Sequence, residues 1–194
     1  MSTRFSIPAI GRRPMAIGIL GLAVTALLAV PASAAGDGMI TSLYTSLEPK
    51  QCRTLPANGE SGDVTLRCPG AADYRLLAID SDSRMSVTLV FPDKSLHPLD
   101  FWTVVTSHFS RLGGKAEWRV RQVGGKQVPI ALITELNVME DPESSAERPY
   151  LIVAKIGAAG TCVTDKILRG DDAQEQARTA ADAAAASPCL GPAF

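Results

Sequence analysis

KAEWRVRQVGGKQVPIALITELNV, residues 115–138, is the stretch whose reading decides the fold. Before Gly124-Gly125, Ala116, Trp118 and Val120 alternate with Glu117, Arg119 and Arg121. After it, Val128, Ile130, Leu132, Leu136 and Val138 share an even spacing. A period of two puts alternate side chains on opposite faces of a strand. Two such runs flanking Gly-Gly predict a β-hairpin, because its tight turn needs positive φ at both central residues. The pattern predicts the centre of an antiparallel sheet, with Trp118 and Val128–Leu136 in the core and the charged positions on a solvated face.

Further strands are expected on either side. Val64–Cys68 stops at Pro69-Gly70, Tyr74–Ile79 leads into a polar turn at Asp80–Ser83, and Met85–Phe91 ends at Pro92. Tyr150–Ile156 and Thr161–Leu168 follow the hairpin, separated by Gly157–Gly160. Leu43, Tyr44 and Leu47 fit a short strand or a turn of helix, and the Pro/Gly-rich segment after them reads as loop. Between residues 93 and 114, Leu99, Trp102, Phe109 and Leu112 recur at helical spacing, Pro98 suits a first helical position and Gly113 a residue beyond the end. This predicts a helix over about 98–110, although Thr103–Thr106 is β-branched. Asp171-Asp172 open a second helix, rich in alanine, that runs to about Ser187; both carboxylates favour its positive end. The whole reads as α+β: an antiparallel meander of about six or seven strands with a C-terminal alanine-rich helix, stapled by two disulfides.

Residues 1–34 carry the pattern of an export signal. Arg4, Arg12 and Arg13 precede the apolar run Met15–Val30, and Ala32-Ser33-Ala34 supplies the small residues a signal peptidase requires. The run is shorter than the ~20 apolar residues of a comfortable membrane span, so cleavage is expected rather than anchoring. The residue directly after the cut is Ala35 and not a cysteine, which argues against a lipoprotein, and Pro14 and Ala16 dilute the likeness of Arg12-Arg13 to a twin-arginine signal. Residues 35–194 would then be one exported domain, periplasmic or secreted, large enough for its own core. Loss of the three arginines takes the formal charge from −1 to −4. A mildly acidic chain without a basic run releases few counterions from DNA or RNA, so nucleic acid is not an expected partner.

The chain has four cysteines. An even count in an oxidising compartment argues for disulfides. Of the three possible pairings, Cys52–Cys68 and Cys162–Cys189 each bracket one local unit: a loop onto a strand, and the end of the helix back to the strand before it. Each should stabilise by about 3 kcal/mol, mostly by restricting the unfolded chain. The Cys-x-x-Cys or paired-His spacing of a metal or redox site is absent from the sequence, so neither metal nor other cofactor is expected.

Few residues suggest chemistry. His97, Asp100, Ser107 and His108 lie close in sequence and could serve a hydrolase, but there is no Gly-x-Ser-x-Gly elbow, and a surface role for both histidines is the plainer reading. Asp80-Ser81-Asp82 begins like a calcium loop, but Met85 and Phe91 occupy the places of its glycine and bidentate glutamate. The Gly-Gly-Lys triplets at 113–115 and 124–126 lack the rest of a phosphate-binding loop. Lys115, Arg119, Arg121 and Lys126 form a candidate contact surface for an anion or acidic partner. The competing reading is an ordinary solvated strand face with Glu117 and Glu135 as cross-strand partners.

Cys68-Pro69-Gly70, Glu117-Trp118-Arg119, the apolar strand ending in Lys155, and a cysteine followed by an alanine-rich helix and a second cysteine together resemble a group of small exported proteins of alphaproteobacteria without an assigned function. The resemblance spans most of the mature chain and implies a periplasmic, disulfide-bonded single domain. It implies no catalytic residues. The expected role is therefore a non-enzymatic periplasmic binding or envelope-interaction protein, an inhibitor of an exported enzyme being one form of it. The alternative is a small hydrolase using a His/Asp pair within residues 97–108.

Overall fold

The computed structural model describes residues 38–56, 62–141, 143, 146–157 and 160–193. The expected export signal lies outside them. The described strands are β1 (Ile40–Ser46), β2 (Arg53–Thr54), β3 (Val64–Cys68), β4 (Arg75–Ser81), β5 (Arg84–Val90), β6 (Leu96–Pro98), β7 (Ser110–Val123), β8 (Lys126–Val138), β9 (Arg148–Lys155) and β10 (Cys162–Leu168). Two α-helices, α1 (Phe101–Val104) and α2 (Ala173–Ala183), complete the framework. The chain is thus mostly β-sheet with a C-terminal helix. Among the described residues no helix is long and apolar enough to cross a membrane.

The strand order is β10-β9-β8-β7-β5-β4-β3-β2, with β1 on the other edge of β7 and β6 on β5. All pairings are antiparallel except β5–β7, which meet at one parallel bridge, Arg84 with Ser110. The sheet is therefore two antiparallel blocks joined at a corner. Their inner faces share one core: Leu76, Val87 and Leu89 of the first block pack with Trp118, Val120, Leu132, Leu136 and Ile152 of the second. Tyr74 bridges the blocks, with its ring 6.1 Å from Trp118 and 4.9 Å from Phe91. The Trp118 indole is fully buried and donates to Thr45 Oγ1 at 2.9 Å, so its one polar group is satisfied.

Helix α2 lies on the opposite, outer face of the second block. Ala173, Ala177, Ala181 and the following Ala184 pack on Ala131, Ile133, Leu151 and Val153. Methyl side chains allow close approach but bury little apolar area. The C-terminal segment is tied down by Cys162–Cys189, by Lys155 Nζ donating to the Ser187 carbonyl at 2.8 Å, and by Leu190 N–H donating to the Val163 carbonyl at 2.8 Å. Cys52–Cys68 fastens the loop before β2 to β3, so both disulfides join the expected partners.

Several expectations are corrected. The helix over 98–110 shrinks to the single turn of α1, because Asp100 sits at φ 47° before it and the chain re-enters the sheet at Ser110. Of the two readings for Leu43 and Tyr44, the strand is the one found, and Leu47 lies just beyond it. Strands β2 and β6, two and three residues long, are too short to leave a periodic signature. The tight turns match their sequences: Gly124 and Gly125 have φ 54° and 75°, and Asp82-Ser83 adopts 52° and 59°. Val128 is 40% exposed and lies outside the core. A bulge shifts the register from Arg119↔Ala131 to Val120↔Pro129, leaving Ile130 over and turning Val128 to the face opposite Leu132. The outer face of the hairpin is not solvated at its centre either. With the other block on one side and α2 on the other, Ala131–Thr134 and Leu136–Val138 are all buried.

Candidate functional site

Beside the N-terminal half of α2 the sheet is interrupted. Leu112 pairs with Leu136 and Ala116 with Thr134, so three residues of β7, Gly113-Gly114-Lys115, stand against Glu135 alone. Gly113 is required sterically, whereas the contact at Gly114 is with the movable end of the exposed Glu48 side chain. A Cβ on Gly113 would come within 2.8 Å of the Glu135 Cβ, and one on Gly114 within 2.2 Å of Glu48 Oε1. This bulge, the end of β1 and the helix enclose an open cleft of about 690 Å³. Its apolar lining is Ile133 and Leu151; its polar walls include Tyr44, Glu48, Lys115, Glu135, Arg169 and Gln174.

The cleft ends at a buried charge network. Glu117, only 4% exposed, accepts from Arg178 Nε at 2.7 Å, Gln174 Nε2 at 2.7 Å and Ser42 Oγ at 2.5 Å. Arg119 Nη1 lies 3.9 Å from the same carboxylate and donates to Ser42 Oγ. The Arg119 guanidinium also forms a two-pronged pair with Asp182, Nε–Oδ1 2.7 Å and Nη2–Oδ2 2.8 Å. Donation to the Asp182 carboxylate is the main reason the Arg119 pKa rises above the usual arginine value; donation to Glu117 does the same for Arg178. Arg178 also reaches the Tyr44 hydroxyl at 2.7 Å. Farther out, Arg169 stands 3.4 Å from Glu135. The carboxylates of Glu48 and the ammonium of Lys115 have no hydrogen bond or ion pair among the described residues.

The four cations of the candidate contact surface are not brought together. Arg119, its side chain 11% exposed, is closed under α2. Arg121 is half-buried, opposite Val128. Lys115 is exposed on the cleft wall and Lys126 is exposed beside the hairpin turn. Lys126 pairs with Val123. Eight residues of strand separate that position from Lys115, roughly 26 Å at the usual rise. The pattern that does organise the site is Gln174, Arg178 and Asp182 at four-residue intervals on α2, one stripe beside the alanines. That periodicity is visible in the sequence; its landing place is not.

Among the described residues, His97, Asp100, Ser107 and His108 show no hydrogen-bonded relay, and the partner of His97 is Ser95, outside the segment named for the hydrolase. Ser95 Oγ donates to Asp93 Oδ1 at 2.6 Å, and its contact with His97 Nε2 is 2.9 Å. With its single proton committed to Asp93, the hydroxyl accepts from His97, so this imidazole nitrogen acts as donor toward serine and not as its base. Serine therefore stands between acid and histidine, where a relay needs histidine between serine and acid. The Ser95 hydroxyl and amide hold the Asp93 carboxyl below its ordinary pKa, while the imidazole packs 4.0 Å from the Phe91 ring. His108 is exposed, and among the described residues no hydrogen bond or ion pair joins Asp100 to either histidine. Nor does any group of three or more His, Cys, Asp or Glu side chains among them offer a metal site. No family model, curated protein or solved structure matches the chain.

Proposed function

We propose that the protein is a non-enzymatic binding protein that acts outside the cytoplasm and recognises its partner in the cleft between α2 and the bulge of β7. The supporting observation is how the cleft's charges are used. Glu117 is matched by Arg178, and Glu135 by Arg169. Among the described residues Glu48 and Lys115 have no matching charge on the walls. A site whose deepest carboxylate is saturated with donors is poorly suited to proton transfer and well suited to holding shape, with two opposite free charges to orient a polar ligand. The two disulfides and the lack of a membrane-crossing helix among the described residues are compatible with a periplasmic or secreted domain left after removal of residues 1–34.

The test is retention of a partner from an extracytoplasmic extract on the immobilised protein. A specific partner should be held by the native chain and by a His97→Ala/His108→Ala variant, and lost on Lys115→Glu. Retention indifferent to Lys115→Glu would sink the cleft assignment. Hydrolytic activity abolished by the histidine variant would return the enzyme reading.

A further inference from the structure

We propose that β1 is a docking strand, and that its free edge takes up an extended segment of a partner polypeptide as an added strand. The proposal rests on the binding reading above and gives it a ligand class.

A sheet edge exposes unpaired N–H and C=O groups, and soluble proteins blunt such edges with brevity, proline, charge or a bulge. Four strands have an open edge among the described residues, and three are blunted. Strand β2 has two residues and one is Arg53; β6 has three and ends in Pro98. Strand β10 carries Asp165 and Lys166, shifts register between Val163 and Asp165, and is met by the Leu190 amide. Strand β1, ITSLYTS, has seven residues, no charge, no proline and an unbroken register with β7.

The free groups can be assigned. Leu47 N–H donates to the Gly114 carbonyl, and the Met39 carbonyl accepts from Gln122 N–H. Odd-numbered residues therefore bond to β7, and antiparallel alternation turns the amides and carbonyls of Ile40, Ser42, Tyr44 and Ser46 outward. The edge leads into the cleft: Tyr44, Thr45 and Ser46 of β1 line it, and Glu48 follows two residues on. An added strand would gain backbone hydrogen bonds along β1 and set alternate side chains beside Tyr44 and Ser46, at the mouth of the cleft; Ile133 and Leu151 lie farther in, on β8 and β9 beyond β7. This is the division of labour of strand-addition complexes: backbone for affinity, pockets for specificity. Tyr44, 55% exposed, stands at the junction.

The test uses short random-sequence peptides, displayed on phage and selected on the intact oxidised protein, then mapped by amide hydrogen exchange. Selected peptides should slow exchange at Ile40, Ser42, Tyr44 and Ser46. Ile40→Pro and Ser46→Pro, each removing one outward amide at an end of the strand, should weaken them about tenfold, the worth of a backbone hydrogen bond or two. Exchange mapping on the native chain decides the matter even if a proline variant fails to fold. Absence of selectable peptides, or protection elsewhere only, overturns the proposal. So does prior protection of these four amides in a dimer, which would mean that a second copy occupies the edge. The two readings fail separately. Peptides held in the cleft without protection of β1 defeat strand addition alone, and peptides on β1 indifferent to Lys115→Glu defeat the cleft alone.

Discussion

Glu117 shows how one residue can change meaning when an element from far along the chain lands on it. In its strand it is the polar member of an alternating pair, and nothing local distinguishes it from Arg121. In the molecule it is the anchor for α2, bonded by Gln174 and Arg178. Glu117→Ala would leave Arg178 without its carboxylate and Ser42 and Gln174 without their acceptor, so we expect a loss of about 3 kcal/mol in urea denaturation. Arg178→Ala should cost about 1 kcal/mol, because that arginine is partly exposed and Gln174 and Ser42 remain on the carboxylate. A second pair reports on pH. The Tyr150 hydroxyl donates to Glu140, and with Arg148 this lowers the Glu140 pKa. A lowered carboxyl contributes stability that is fully present above its unfolded pKa and disappears as pH falls through the folded one. Tyr150→Phe should therefore lower stability by about 1 kcal/mol at pH 7, with the difference from the native chain closing on acidification below the ordinary glutamate range. A difference constant from pH 7 to pH 2 would contradict this.

At the scale of elements, a strand was legible wherever its apolar residues formed one run or alternated regularly between turn residues. That pattern failed where two elements compete for a segment. Strands β3, β4, β5, β9 and β10 lie close to where their apolar runs place them. Leu99, Trp102 and Phe109 mimic a helix, yet Leu99 is buried beneath β5 while Phe109 is exposed, so the spacing serves no single face. The bulge at Gly113–Lys115 is equally silent in sequence, since Gly-Gly there looks like a turn. Its need is testable. Gly113→Ala should cost about 1–3 kcal/mol by overpacking, and the loss should be relieved in a thermodynamic cycle by Glu135→Gly but not by Glu135→Ala, because the contact is with the Glu135 Cβ itself. Equal relief by both would mean that the carboxylate, rather than its Cβ, sets the spacing.

In the whole molecule, two blocks meet through one bridge and one shared core, and each carries a disulfide. Replacing either cysteine pair by serine should lower stability by about 3 kcal/mol, and the fluorescence of Trp102 and Trp118 together and the far-ultraviolet circular dichroism should still report a single transition, because neither block has an inner core of its own. Separate transitions by the two probes would show that the blocks fold independently. The order of the chain carries one more consequence. Strand β1 is made first of the described strands, but the strand it pairs with, residues Lys115–Arg121 of β7, follows some seventy residues later. A chain emerging N-terminus first must hold ITSLYTS with both edges open while β2 to β6 appear. Closure is a late, long-range event in such a topology, which makes folding slow. Until β7 arrives, the backbone groups of this segment have no described strand to pair with.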